Sequence, residues 1–123
     1  LILLSILGFA IIYLLKYTIK RERFEDSFIQ KLDYSFPSSH TYFATLIILF
    51  SLYKVRNVLF SSISIIFSLF TIFSILVLKI HFFSDVIFSI FLAFILFKIF
   101  NTPSIFDKIL RQLRLLKRRI EGD

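Results

Sequence analysis

The chain consists of long apolar runs of about twenty residues, separated by short polar segments. Only two Gly and two Pro occur among 123 residues, whereas Phe occurs 18 times and 58% of the residues are hydrophobic. Such runs predict helices that cross a membrane, because a helix satisfies its backbone polar groups within the segment. The sequence therefore predicts an all-α fold, a polytopic membrane helix bundle.

The runs divide into about four transmembrane helices and one further helix. The four predicted spans are roughly Leu1–Ile19, Pro37–Tyr53, Val58–Ile80 and Ser84–Phe100. Residues 1–102 form the predicted transmembrane domain, and residues 103–123 form a tail whose helix covers Ser104–Ile120. Pro37 suits the first turn of its helix, and Ser84 is the expected N-cap before the carboxylate of Asp85.

The two ends of the chain lead to two further expectations. Met is absent and the first residues are already apolar, so we expect upstream sequence with earlier spans. In the tail, apolar residues share one helical face and basic residues cover the other. A basic amphipathic helix is typical of the membrane interface and of anionic lipid. A nucleic-acid-binding arm is the alternative, which the preceding span disfavours, so we expect no nucleic-acid partner.

Charge orients the predicted bundle. Alternating spans place the 54–57 hairpin, Lys98 and the tail on one side, with net charge +6, and Lys16 with the 20–37 and 79–85 segments on the other, with net charge +1. Because cytoplasmic loops carry the excess of Lys and Arg, the tail is predicted to be cytoplasmic. The 20–37 and 79–85 segments then face the extracytoplasmic side of a membrane that is predicted to be a bacterial inner or plasma membrane.

Both histidines of the chain fall on that extracytoplasmic side, at helix starts. His40 follows Pro37, Ser38 and Ser39, where free N–H groups and the helix dipole attract an anion and the imidazole could transfer a proton. The alternative is a capped helix start with an incidental histidine.

The second histidine, His81, lies four residues before Asp85. On a helix the two side chains can share a face, so the carboxylate could fix the ring tautomer and leave the other ring nitrogen to attack phosphorus. A hydrogen-bonded pair at the membrane interface, without catalysis, is the alternative.

Two cations complete the predicted cluster. Lys16 and Arg23 lie on either side of further basic residues at the end of the first span. They form either a basic flank that reaches the lipid headgroups or a clamp for phosphoryl oxygens. A zinc site of two His and one Asp is the rival chemistry. The surrounding cations disfavour a dication, so no metal and no cofactor is expected.

Three motifs in this order resemble the type 2 phosphatidic acid phosphatase (PAP2) superfamily. The family's motifs are Lys-x6-Arg-Pro, Pro-Ser-Gly-His and Ser-Arg-x5-His-x3-Asp. The corresponding residues here begin at Lys16, Pro37 and Ser74. The resemblance covers about Tyr13 to Ile90 and implies the C-terminal part of a six-helix core.

The resemblance also implies roles for the predicted site residues. His81 would form a phosphohistidine, Asp85 would orient it, and His40 would protonate the leaving oxygen. The phosphoryl oxygens would be held by Lys16, Arg23, Ser38 and the amide of Ser39. The implied function is that of an integral-membrane, metal-independent lipid phosphatase or diphosphatase. Its substrate would be a polyprenyl diphosphate, a phosphatidyl phosphate or a lipid A phosphate.

Three positions depart from the family pattern. Phe24 replaces Pro, Ser39 replaces Gly, and Ile75 stands where the family has Arg. Losing one donor to a developing oxyanion costs about 10²–10³ in rate. Lys79, one helical turn beyond residue 75, could reach back and compensate; the alternative is a lysine that reaches the lipid headgroups. The alternatives are a catalytically degenerate relative with a structural or lipid-binding role and, less favoured, a transporter or channel subunit with an anion site.

Overall fold

Five helices make up the computed structural model, which describes residues 1–27, 33–103 and 105–122. The helices are α1 (Ile2–Ile19), α2 (Ser39–Phe50), α3 (Val58–Val77), α4 (Phe83–Asn101) and α5 (Ile105–Glu121). A π-helical turn, Ser51–Val55, continues α2, and no strand occurs in the described ranges. The expected all-α class is confirmed.

Three helices are long and apolar enough to cross a membrane: α1, α3 and α4. Their large apolar side chains mostly face outward, as expected for helices in lipid, where exposed apolar surface costs nothing. The chain is thus compatible with an integral membrane protein. With its π-helical turn, α2 reaches 17 residues, or about 25 Å, so one of the four predicted spans is shorter than the ~30 Å hydrocarbon core.

The helix α2 lies at the centre of the bundle. It packs against α3 and α4, and α1 packs against α2 and α4. The core between α1, α2 and α4 includes Ile12, Leu46 and Phe97, and Tyr42 of α2 is fully buried in it. A second, smaller cluster joins Ile75, Ile80 and Val86 where α3 ends and α4 begins.

The start of α2 differs from the sequence-based prediction. The helix begins at Ser39 rather than at Pro37, because Ser38 is the N-cap and its hydroxyl accepts the N–H of Thr41. Pro37 therefore precedes the cap and lies outside the first turn.

The start of α4 also differs from the prediction, because the N-cap is Phe82 and not Ser84. The carboxylate of Asp85 accepts the backbone N–H of Phe82 at 2.8 Å, which is how an acidic side chain in the third helical position satisfies the cap residue.

The helix α5 is amphipathic, as predicted. Among its exposed side chains are Ile109, Leu113, Leu116 and Ile120. The predicted start, Ser104, lies outside the described residues, as do the side chains of Ile105 and Phe106. The position of α5 in the membrane interface stays a prediction.

Candidate active site

The predicted site residues gather at one end of the bundle. At this end α1 and α3 finish and α2 and α4 begin. The described residues between α1 and α2 are joined by a backbone hydrogen bond as well as by side chains, since the Ser35 N–H donates to the carbonyl of Arg21 at 2.8 Å. Residues distant in sequence therefore come together here.

Lys16 and Arg23 converge on one carboxylate, that of Asp33. The Lys16 ammonium lies 3.4 Å from Asp33 Oδ2, and Arg23 Nη2 donates to Asp33 Oδ1 at 2.6 Å. Both cations are largely buried and also donate to the backbone carbonyl of Tyr34. Burial alone would raise the pKa of Asp33, but the hydrogen bond from Arg23 and the charge of Lys16 outweigh it and lower this pKa.

Asp85 lies at the centre of a second set of contacts and is fully buried. Its Oδ2 accepts the hydroxyl of Ser35 at 2.5 Å as well as the Phe82 N–H. Its Oδ1 accepts Nη1 of Arg21 at 2.8 Å. A buried carboxylate needs such compensation, because an unpaired charge is costly away from water.

His81 lies beside this carboxylate, with only 2% of its surface exposed. Its Nδ1 is 3.6 Å from Asp85 Oδ2, beyond ordinary hydrogen-bond distance, and has no hydrogen-bond partner among the described residues. The proximity comes from the loop between α3 and α4, because His81 precedes α4 and does not share a helical face with Asp85.

Burial lowers the pKa of His81 below its usual range. The charges of Arg23 and Lys16 act in the same direction, while Asp85 opposes them. His81 is therefore neutral at neutral pH, which is the form that can act as a nucleophile.

The N-terminus of α2 contributes Ser38, Ser39 and His40. The Ser38 hydroxyl is fully buried, accepts the Thr41 N–H as the helix cap and pairs with Thr41 Oγ1 at 2.9 Å. Ser39 is the first helical residue, so its N–H has no partner within the helix. His40 lies in the first turn and is exposed.

Of the two interpretations of Lys79, the structure disfavours compensation at position 75. Ile75 is 6% exposed and packs in the apolar cluster with Ile80 and Val86. The helix has ended before Lys79, whose backbone is left-handed with φ of 52°, so Lys79 does not lean back along a helix. Its ammonium pairs with Asp26 instead.

Phe24, which stands where the family has Pro, has a packing role. Its ring lies 3.9 Å, centroid to centroid, from the ring of Phe82 at the start of α4.

Sequence reasoning did not single out three residues of this cluster: Arg21, Asp33 and Ser35. All three lie in the segment between α1 and α2, which carries no periodic pattern. The sequence shows only that this segment contains several Arg and acidic residues as well as serine. Composition of this kind identifies the charged residues but does not show which of them pair.

Within the described ranges, no three His, Cys, Asp or Glu side chains cluster as metal ligands would.

The comparisons with known proteins agree with the motifs. A family model described as the PAP2 superfamily matches residues 1–103, most of the chain. No curated protein and no solved structure matches this chain. The chain therefore belongs to the PAP2 superfamily and is a membrane protein of the phosphatase type.

Proposed function

We propose that this protein is an integral-membrane lipid phosphatase or diphosphatase that works through a phosphohistidine on His81. The observation that carries the proposal is the convergence of Lys16 and Arg23 on one carboxylate. A carboxylate and a phosphoryl group present similar oxygens to such cations. The same end of the bundle holds a buried, neutral imidazole beside an aspartate.

In the first step, Nε2 of His81 attacks phosphorus and the bond from phosphorus to the ester or anhydride oxygen breaks. Asp85 faces Nδ1 and stabilises the positive charge that develops on the ring. His40, in its protonated form, gives a proton to the leaving oxygen. Lys16, Arg23 and the N–H of Ser39 hold the phosphoryl oxygens.

In the second step, water attacks the phosphohistidine and the N–P bond breaks. His40 takes the proton from that water, and inorganic phosphate leaves. Ser38 takes part through its position, since its hydroxyl caps α2 and thereby fixes the amides of the first turn.

The substrate is a phosphorylated lipid, either a phosphatidyl phosphate, a polyprenyl diphosphate or a lipid A phosphate. The position of the cluster at the ends of apolar helices supports an amphiphile, whose phosphate would reach the cations while its chains stay in lipid. The membrane is a bacterial inner or plasma membrane, with the cluster on its extracytoplasmic side.

The test is phosphate release by the purified full chain in proteoliposomes that contain each lipid class. We expect release from at least one class, and His81→Gln to lower it by on the order of 10³-fold or more, because the nucleophile is lost. Ser62→Ala, on the outer side of α3, is the control and should match the unchanged protein. When the transferred phosphate of the substrate is radiolabelled, the label on the protein should be stable in alkali and be released in acid, as expected for the proposed phosphohistidine.

A catalytically degenerate relative is the second candidate, and one observation favours it: Ile75 lies in an apolar cluster and Lys79 is paired elsewhere. The same assay separates the two. Equal background release by the unchanged protein and by His81→Gln, for every lipid class, would exclude the enzyme and leave the structural or lipid-binding role.

A further inference from the structure

We propose that Arg21 binds the phosphoryl group and supplies the guanidinium contact that the apolar residue at position 75 cannot provide. The inference rests on the proposed phosphatase function and adds a residue to its site. It follows from how the Arg21 guanidinium is anchored, which of its donors remain open, and what lies beside it.

One nitrogen of the guanidinium is fully engaged. Nη1 donates to Ser84 Oγ at 2.6 Å and to Asp85 Oδ1 at 2.8 Å. The guanidinium carbon also lies 5.6 Å from the ring centre of Phe36 and 5.4 Å from that of Phe82. The group is therefore held in place before any ligand arrives, which reduces the entropy lost on binding.

The remaining donors of Arg21 are open. Within the described part of the chain, Nε and Nη2 take part in no hydrogen bond or ion pair, and the side chain is 41% exposed. Two neighbouring N–H groups of a guanidinium form a fork that matches two oxygens of a phosphoryl group. The anchored Nη1 leaves such a fork free.

Arg21 and the proposed nucleophile flank one carboxylate. Arg21 binds one oxygen of the Asp85 carboxylate, and Nδ1 of His81 lies 3.6 Å from the other oxygen. The proposal requires the open donors of Arg21 to reach past the ring to the phosphoryl group on Nε2, the ring nitrogen that is remote from Asp85.

Three other basic side chains near this end are already engaged. Lys16 and Arg23 bind Asp33 and backbone carbonyls, and Lys79 binds Asp26. Of the residues described at this end, Arg21 combines a fixed guanidinium with an open pair of donors.

The experiment compares Arg21→Gln and Arg21→Lys in proteoliposomes that contain the best lipid substrate, with orthovanadate as an inhibitor that mimics the phosphoryl group in transfer. For Arg21→Gln we expect kcat/KM to fall by about 10²–10³, the effect of losing one oxyanion donor. Arg21→Lys keeps a charge for Asp85 but lacks the fork, so kcat/KM should fall by about 10-fold or more. Both variants should bind vanadate more weakly, and Arg21→Lys should unfold at an unchanged temperature.

The matched control is Lys79→Gln, which removes an exposed cation and should change kcat/KM by less than about fivefold. The proposal is overturned if Arg21→Lys keeps its activity and vanadate affinity, or if its activity falls only in step with its unfolding temperature, since Arg21 would then merely tie the segment to α4. Absence of phosphate release by the unchanged protein would instead reject the proposed function, and this inference with it.

Discussion

Asp33 is the residue whose charge most affects the proposed phosphate clamp. Its carboxylate lies between Lys16 and Arg23 and partly neutralises them. It remains ionised below the pH at which an ordinary aspartate is protonated, because those cations lower its pKa. A phosphoryl group that binds Lys16 and Arg23 must therefore compete with Asp33.

We predict that Asp33→Asn strengthens the binding of phosphate and vanadate, since two buried cations lose their anionic partner. The inhibition constant for inorganic phosphate should fall by about fivefold, an effect of the size expected for one partly exposed ion pair. Asp26→Asn, which removes a carboxylate that binds Lys79, should leave it unchanged. Weaker phosphate binding in Asp33→Asn would instead show that Asp33 holds the two cations in position.

The candidate site illustrates which residues a sequence reveals. The two histidines, Asp85, Lys16 and Arg23 are placed at helix ends by the apolar pattern alone, and the structure brings four of them, Lys16, Arg23, His81 and Asp85, close to one another or to shared partners. Their partners Asp33, Ser35 and Arg21 lie in an irregular segment. There the three-dimensional fold, and not the hydropathy pattern, decides which side chains pair. The role of Lys79 stayed open, because the left-handed backbone at that residue gives no hydropathy signal.

At the scale of the helices, a close approach of α1 and α2 positions Lys16. Gly8 of α1 faces the buried ring of Tyr42, whose hydroxyl donates to the carbonyl of Leu4 at 2.9 Å. A Cβ atom at Gly8 would lie 2.0 Å from that ring, much closer than two atoms in van der Waals contact. Glycine is thus required here for space rather than for a special backbone conformation.

Gly8→Ala should therefore push α1 away from α2 and lower the free energy of unfolding by about 1–3 kcal/mol, the usual effect of overpacking. Phosphate release should fall as well, because Lys16 lies on the same helix. Thermal unfolding in detergent measures the first effect, with Ala10→Val on the exposed side of α1 as the control. The double variant Gly8→Ala/Tyr42→Leu, which removes the ring, should recover part of the lost stability. An unchanged unfolding temperature in Gly8→Ala would mean that the two helices do not approach this closely.

The helix boundaries were predictable where hydropathy changes sharply. The ends of α1 and the start of α3 were predicted within one residue. The start of α2 and the N-cap of α4 were each missed by two residues, because they depend on which side chain reaches a free N–H, Ser38 to Thr41 and Asp85 to Phe82. Capping is local chemistry that several neighbouring polar residues could supply equally well.

At the scale of the whole molecule, charge predicts orientation. The cluster end carries balanced charges in ion pairs, whereas the other end and α5 are strongly basic. The basic end should stay in the cytoplasm.

Because the chain contains no cysteine, single cysteines can report this orientation. In intact cells, a maleimide reagent that does not cross membranes should label Glu25→Cys, while Lys54→Cys and Lys108→Cys should react only after lysis. All three positions are exposed. Labelling of Lys54→Cys in intact cells together with protection of Glu25→Cys would reverse the predicted orientation.

The shortness of α2 has a consequence for how a lipid arrives. A helix of 17 residues beside neighbours of 18 to 20 falls roughly 5 Å short of a ~30 Å hydrocarbon layer. If that shortfall lies at Ser39, the leaflet thins locally and headgroups sink toward the bundle. A phosphate could then enter sideways from the leaflet, without its acyl chains ever being lifted into water.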